Sequence, residues 1–130
     1  MRDYETMRHI LAVTANAGYD LAYSDFKPGA GLDDGRLEAE LTRLERDELI
    51  DADVNFTKKF GERSQCSVRG LTVEGREFYN LIANDGVWAI ILATLKKANV
   101  DISYPLLKEV CEEIVKRYVA SFIPDIKPGK

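Results

Sequence analysis

Between Gly35 and Phe56 the hydrophobic period of the chain changes once, and that change narrows the folds open to it. Leu37, Leu41 and Leu44 recur at the three- and four-residue spacing of a single helical face. Asp33 or Asp34 stands where a cap is needed, so the pattern predicts a helix from Gly35 to about Leu49. From there Ile50, Ala52, Val54 and Phe56 alternate with Asp51, Asp53 and Asn55, the period of a strand with one buried face. Gln65 to Leu71 reads as the returning strand, with Cys66 and Val68 on one face, and residues 57–64 as the turn between. A β-hairpin therefore follows directly on a helix.

The hairpin hands over to a further helix through Arg69-Gly-Leu-Thr-Val-Glu-Gly-Arg-Glu-Phe78. Thr72 is a good N-cap, and Glu74 falls in the first turn, where the helix dipole favours a negative charge. Gly75 costs helix propensity at the third helical position, which points to a backbone packed too closely for a Cβ. Phe78, Leu81 and Ile82 give this helix its buried face. Thr72 and Gly75 are thus read as a structural hinge that sets the direction of the hairpin.

The remaining elements are helical. Asp3 caps a first helix carrying Tyr4, Met7, Ile10, Leu11 and Thr14, which ends near Asn16 to Gly18 with Gly18 as its stop. Leu21 to Phe26 fits a short strand or a short helix, and Lys27 to Gly31 is a loop. After Asn84-Asp-Gly86 an apolar helix runs from Val87 to Ala98 and contains Trp88. Ser103 then caps a last helix, with Pro105 in its first turn and Leu107, Cys111, Ile114 and Tyr118 along its stripe. This order divides the chain into a core over 1–86, a C-terminal helical extension over 87–123 packed on the same domain, and a frayed tail over 124–130.

At 130 residues the chain is long enough for one core, and 45% hydrophobic with 31% charged residues is a soluble composition. No secretory pattern follows Met1, and the longest apolar run is too short to span a bilayer, so a cytoplasmic location without membrane contact is expected. Cys66 and Cys111 lack metal-ligand spacing and read as buried thiols. His9 is the only histidine and lies off the apolar stripe of its helix. The acidic pairs Asp33/Asp34 and Glu112/Glu113 splay apart on a helix. The Gly-rich loop before Leu32 has no phosphate-loop ending. No catalytic residue, metal site or cofactor is assigned, and the chain is not read as an enzyme.

Helix, short element, helix, hairpin, helix is the order of a winged helix-turn-helix. The expected fold is α+β and mostly helical: a winged helix-turn-helix with a two- or three-stranded hairpin wing and additional C-terminal helices. Leu41-Thr-Arg-Leu-Glu-Arg-Asp-Glu-Leu-Ile50 resembles the recognition-helix end of bacterial winged-helix proteins, with Glu48 where Gly is usual. Leu71-Thr-Val-Glu-Gly75 resembles the stretch that follows the wing in the same proteins. With Met1 to Leu11 and Asn84-Asp-Gly-Val-Trp88, the chain resembles the YjcQ-like winged-helix family of Gram-positive bacteria and their phages, over roughly residues 1–98. It is also similar to a related phage-associated family of unknown function. The resemblance implies the fold and a DNA-binding or regulatory role; the family carries no established activity.

The formal net charge of -4 argues against a protein that coats nucleic acid through general basicity. Residues 33–48 hold three arginines against seven acids. On a helical wheel, however, only Gly35, Ala39, Thr42, Arg43 and Arg46 lie within about 60° of the direction opposite the leucine stripe. That outward strip is small and basic. The wing adds Lys58, Lys59, Arg63 and Arg69 against Glu62. The DNA-binding candidates are therefore Arg36, Thr42, Arg43, Arg46, Lys58, Lys59 and Arg63, and the expected partner is double-stranded DNA, bound by a transcriptional regulator of bacterial or phage origin. The alternative is a winged helix used as a protein–protein module, with its charges forming solvated faces. The wide stripe of the last helix makes a homodimer a candidate assembly beside the monomer.

Overall fold

The computed structural model describes residues 2–27, 33–56 and 65–123, and in them five α-helices accompany one three-stranded antiparallel sheet. The architecture is α+β and mostly helical. By contacts the chain divides between Tyr79 and Asn80 into two compact units.

In the first unit, helix α1 (Tyr4–Asn16) begins as its cap predicts, with Asp3 Oδ1 accepting from the Thr6 N–H at 3.1 Å. It buries Met7, Ile10 and Leu11 completely. The chain leaves α1 through Ala17 in an extended conformation, rather than through the expected stop at Gly18. The ambiguous stretch after it is both things at once: strand β1 (Leu21–Ala22) and then a 3-10 turn (Tyr23–Phe26). His9 Nε2–H donates to the Phe26 carbonyl at 2.7 Å and ties that turn to α1.

Helix α2 (Asp34–Arg46) is capped by Asp33 and buries Leu37, Leu41 and Leu44 fully. Each such leucine contributes roughly 1.5–3 kcal/mol of burial. The helix stops three residues before the expected Leu49, because the chain turns there in a Schellman cap. The Leu49 N–H reaches the Leu44 carbonyl at 3.0 Å and the Glu48 N–H reaches Glu45, also at 3.0 Å. Glu48 takes the left-handed position with φ 60, where glycine would carry no Cβ cost. Leu44 and Leu49, which flank the turn, are both fully buried.

Strand β2 (Ile50–Asn55) pairs with β3 (Gln65–Leu71), and β3 also pairs with β1, giving the order β1-β3-β2. Ile50, Ala52 and Val68 are buried on the inner face. The register jumps between Asp51↔Gly70 and Ala52↔Val68, which leaves Arg69 as the extra residue of a bulge. The turn at 57–64, with Lys58, Lys59, Phe60 and Arg63, lies outside the described residues, as does the tail at 124–130.

Helix α3 (Val73–Ile82) starts at the hinge. Thr72 Oγ1 accepts from the Gly75 N–H at 2.9 Å and donates to the Glu48 carbonyl at 2.6 Å. A Cβ on Gly75 would overlap the Leu49 carbonyl, whose carbon would lie 2.8 Å away. One threonine therefore caps α3 and fastens it to the turn that ends α2.

In the second unit, α4 (Asp85–Ala98) begins two residues earlier than expected because Asn84 caps it, its Oδ1 accepting from the Val87 N–H at 3.1 Å. Asn99 ends it in the left-handed conformation. Helix α5 (Tyr104–Ser121) has Ser103 at its N-cap position but without the expected side-chain bond; Pro105 supplies the start. Leu107 and Cys111 are buried, whereas Val119 and Phe122 remain exposed. No single helix among the described residues is long and apolar enough to cross a membrane.

Candidate nucleic-acid interface

The outward strip of α2 lines an open groove. Glu38, Ala39, Thr42, Arg43 and Arg46 supply the helical wall, and Phe56, just past the end of β2, closes the other side around a volume of about 480 Å³. The period that buries Leu37, Leu41 and Leu44 dictates this wall, since residues two and five positions from them must face away. Phe56 is held in place by Tyr23 of the 3-10 turn, with ring centroids 5.6 Å apart at 58°.

The candidate residues divide into three groups. Thr42, Arg43 and Arg46 come together in the groove; Thr42 and Arg43 are half-buried and Arg46 is exposed. Thr42 Oγ1 donates to the Glu38 carbonyl at 2.9 Å, which commits the hydroxyl proton to the helix backbone. Arg36 stands apart from the groove lining, and its Nη1 pairs with Asp3 Oδ2 at 3.3 Å. Lys58, Lys59 and Arg63 lie outside the described residues.

Two features absent from the sequence reading change the electrostatics. Arg69, counted there as a wing cation, is neutralised across the sheet: its Nη2 meets Asp51 Oδ1 and its Nη1 meets Asp53 Oδ2, each at 2.8 Å. These bonds push the guanidinium pKa up, and the Arg69 bond holds the Asp51 carboxyl below its ordinary value. Glu40, expected among the solvated acids of α2, is instead buried; its Oε1 accepts from Arg2 Nε and its Oε2 from the Asp3 N–H, both at 2.9 Å. The helix therefore presents one acid fewer to solvent, and the sheet one cation fewer.

At the N-terminal end of α2, Asp34 Oδ1 accepts from Lys27 Nζ at 2.8 Å and from the Tyr23 hydroxyl at 3.0 Å. The Lys27 bond, followed by that of Tyr23, holds the Asp34 carboxyl below its ordinary value. Burial, and then the Asp34 bond, push the Tyr23 phenol up. Both groups keep their neutral-pH charge states, and the cluster fastens the 3-10 turn to the helix.

Burial pushes the Cys66 thiol up to about 11 and Cys111, beside Glu112, up to about 12. Neither is a thiolate at neutral pH. Among the described residues, no three His, Cys, Asp or Glu side chains are placed to hold a metal ion. Comparison of the chain with protein-family models, with curated proteins and with solved structures finds no match.

Proposed function

We propose that the protein is a winged-helix DNA-binding protein, a transcriptional regulator of bacterial or phage origin related to the YjcQ-like proteins, with α2 as its recognition helix. The observation that carries this reading is the α2 groove. A short 3-10 turn precedes α2, a hairpin follows it, and the groove along α2 is lined by Ala39, Thr42, Arg43 and Arg46 together with Glu38. Small side chains allow close approach to a duplex, and arginine bonds both phosphate oxygens and guanine edges. The sheet order β1-β3-β2 suits a wing beside that helix.

The test is binding of the purified protein to mixed-sequence duplex DNA, followed by fluorescence anisotropy across a salt series. Binding that weakens steeply with salt is expected, with Arg43→Ala/Arg46→Ala reducing both affinity and the salt slope. Affinity unchanged in that variant sinks the assignment of α2.

A second reading, a protein–protein module, draws on the pairing of Arg36 with Asp3 and of Arg69 with Asp51 and Asp53. Cations already matched by carboxylates gain less from phosphate. This reading predicts no duplex binding even at low salt, and recovery of one specific protein in a pull-down.

A further inference from the structure

The α2 groove combines the charged side chains of Glu38, Arg43 and Arg46 with apolar groups of Ala39, Thr42 and Phe56. Ala39 offers only its methyl group, and Thr42 has committed its hydroxyl proton to the Glu38 carbonyl at 2.9 Å. Thr42 then has its γ-methyl and the accepting side of its hydroxyl to offer a ligand, but no proton. Opposite them stands the ring of Phe56, its tilt fixed by Tyr23. Arg43 and exposed Arg46 line the groove toward the end of α2, and Glu38 lines it toward the start. Apolar groups beside cations that complement phosphate match one feature of the DNA major groove. Among the four bases only thymine presents a methyl there, and alanine, threonine methyl and phenylalanine are the side chains that meet it.

We propose that Ala39, Thr42 and Phe56 form a receptor for the C5-methyl group of a thymine, which makes Thr42 and Phe56 specificity-determining residues. The assignment rests on the DNA-binding reading above and deepens it. The Glu38 carboxylate accepts from an exocyclic amino group at the edge of the same or the adjacent base pair, so the groove favours a thymine flanked by such a donor.

The test starts from duplexes that the protein itself enriches from a random-sequence pool, resynthesised with uracil in place of each fixed thymine. Uracil lacks only the C5-methyl, so the phosphate contacts are untouched. Replacement at one position is expected to weaken binding about fourfold, the equivalent of one buried methyl group, with no change in salt slope. Thr42→Ser keeps the hydroxyl that bonds the helix and removes the methyl, and it should erase most of that discrimination. Equal binding of thymine and uracil duplexes, or enriched sites with no fixed thymine, overturns the receptor while leaving the DNA-binding reading intact. Discrimination undiminished in Thr42→Ser overturns its placement in this groove. Failure to retain any duplex at low salt overturns both.

Discussion

The guanidinium of Arg2 and the carboxylate of Glu40, 38 residues apart, meet at 2.9 Å with side-chain exposures of 1% and 3%. Asp47 Oδ2 approaches Arg2 Nη1 at 3.3 Å, and Arg2 Nη2 finds no acceptor among the described residues. The pair pins the start of α1 to the inner face of α2, but two desolvated charges are a poor source of net stability. Losing one partner is the damaging event. Glu40→Leu alone should cost about 3 kcal/mol, because it leaves a buried guanidinium with only the longer contact to Asp47. Arg2→Met/Glu40→Leu should recover most of that loss. Urea unfolding followed by circular dichroism measures both, and a double variant no more stable than the single one would show that the charges are not the unit that matters.

Glu40 illustrates what the sequence could tell and what it could not. It lies three residues after Leu37 and four before Leu44, so the helical period already places it at the edge of the buried stripe. Its partner leaves no periodic trace, since nothing near Arg2 in the chain points to α2. The groove divides in the same way. Ala39, Thr42, Arg43 and Arg46 follow from the local period of one helix, whereas Phe56 closes the groove through its packing on Tyr23. Arg69 counts in the sequence as a wing cation, and its pairing with Asp51 and Asp53 depends on a register jump that only the assembled sheet defines. The cap at Thr72 was legible, being local; that Gly75 makes its close approach to the Leu49 carbonyl was not.

Gly75 and Gly86 should respond to a methyl group by different amounts. At Gly75 the obstacle is the Leu49 backbone, which also accepts from the Thr72 N–H at 3.1 Å and cannot move without opening the hinge. Gly75→Ala is expected to cost at least about 2 kcal/mol and to lower Tm by roughly 10 °C. At Gly86 the nearest obstacle is the Tyr118 hydroxyl at 2.7 Å, the far end of a half-buried side chain that can swing aside. Gly86→Ala should stay within about 1 kcal/mol of the parent, its helix propensity offsetting the displacement. Equal thermal shifts for the two variants would remove the close-packing account of the hinge.

Glu48 occupies a backbone conformation that suits glycine, with φ 60 at the Schellman cap of α2. A side chain there costs about 1 kcal/mol against glycine. Glu48→Gly keeps the carbonyl that accepts from Thr72 Oγ1 and the N–H that reaches Glu45. It should therefore raise stability by a few tenths to about 1 kcal/mol, the greater backbone freedom of glycine in the unfolded chain offsetting part of the gain. A lower Tm for this variant would mean that the Glu48 side chain stabilises the turn by more than its backbone strain costs.

The acid limb of the stability curve should belong partly to Asp51 and Asp34. Bonds from Arg69 and from Lys27 hold their carboxyls below the ordinary value of 3.8. As the pH falls, protons therefore bind the unfolded chain before they bind the folded one. The stabilisation from these pairs is complete above about pH 4–5 and is lost progressively as the pH drops below 3.8 through the folded-state values. Asp51→Asn and Asp34→Asn should each flatten the decline of Tm between about pH 4 and pH 2 while changing the slope above pH 5 very little. Both pairs are solvent-exposed, so 1 M salt should shrink the effect in the parent protein. If the two variants follow the parent's acid curve without change, the pairs seen on the sheet and at the start of α2 contribute nothing to the pH dependence of folding.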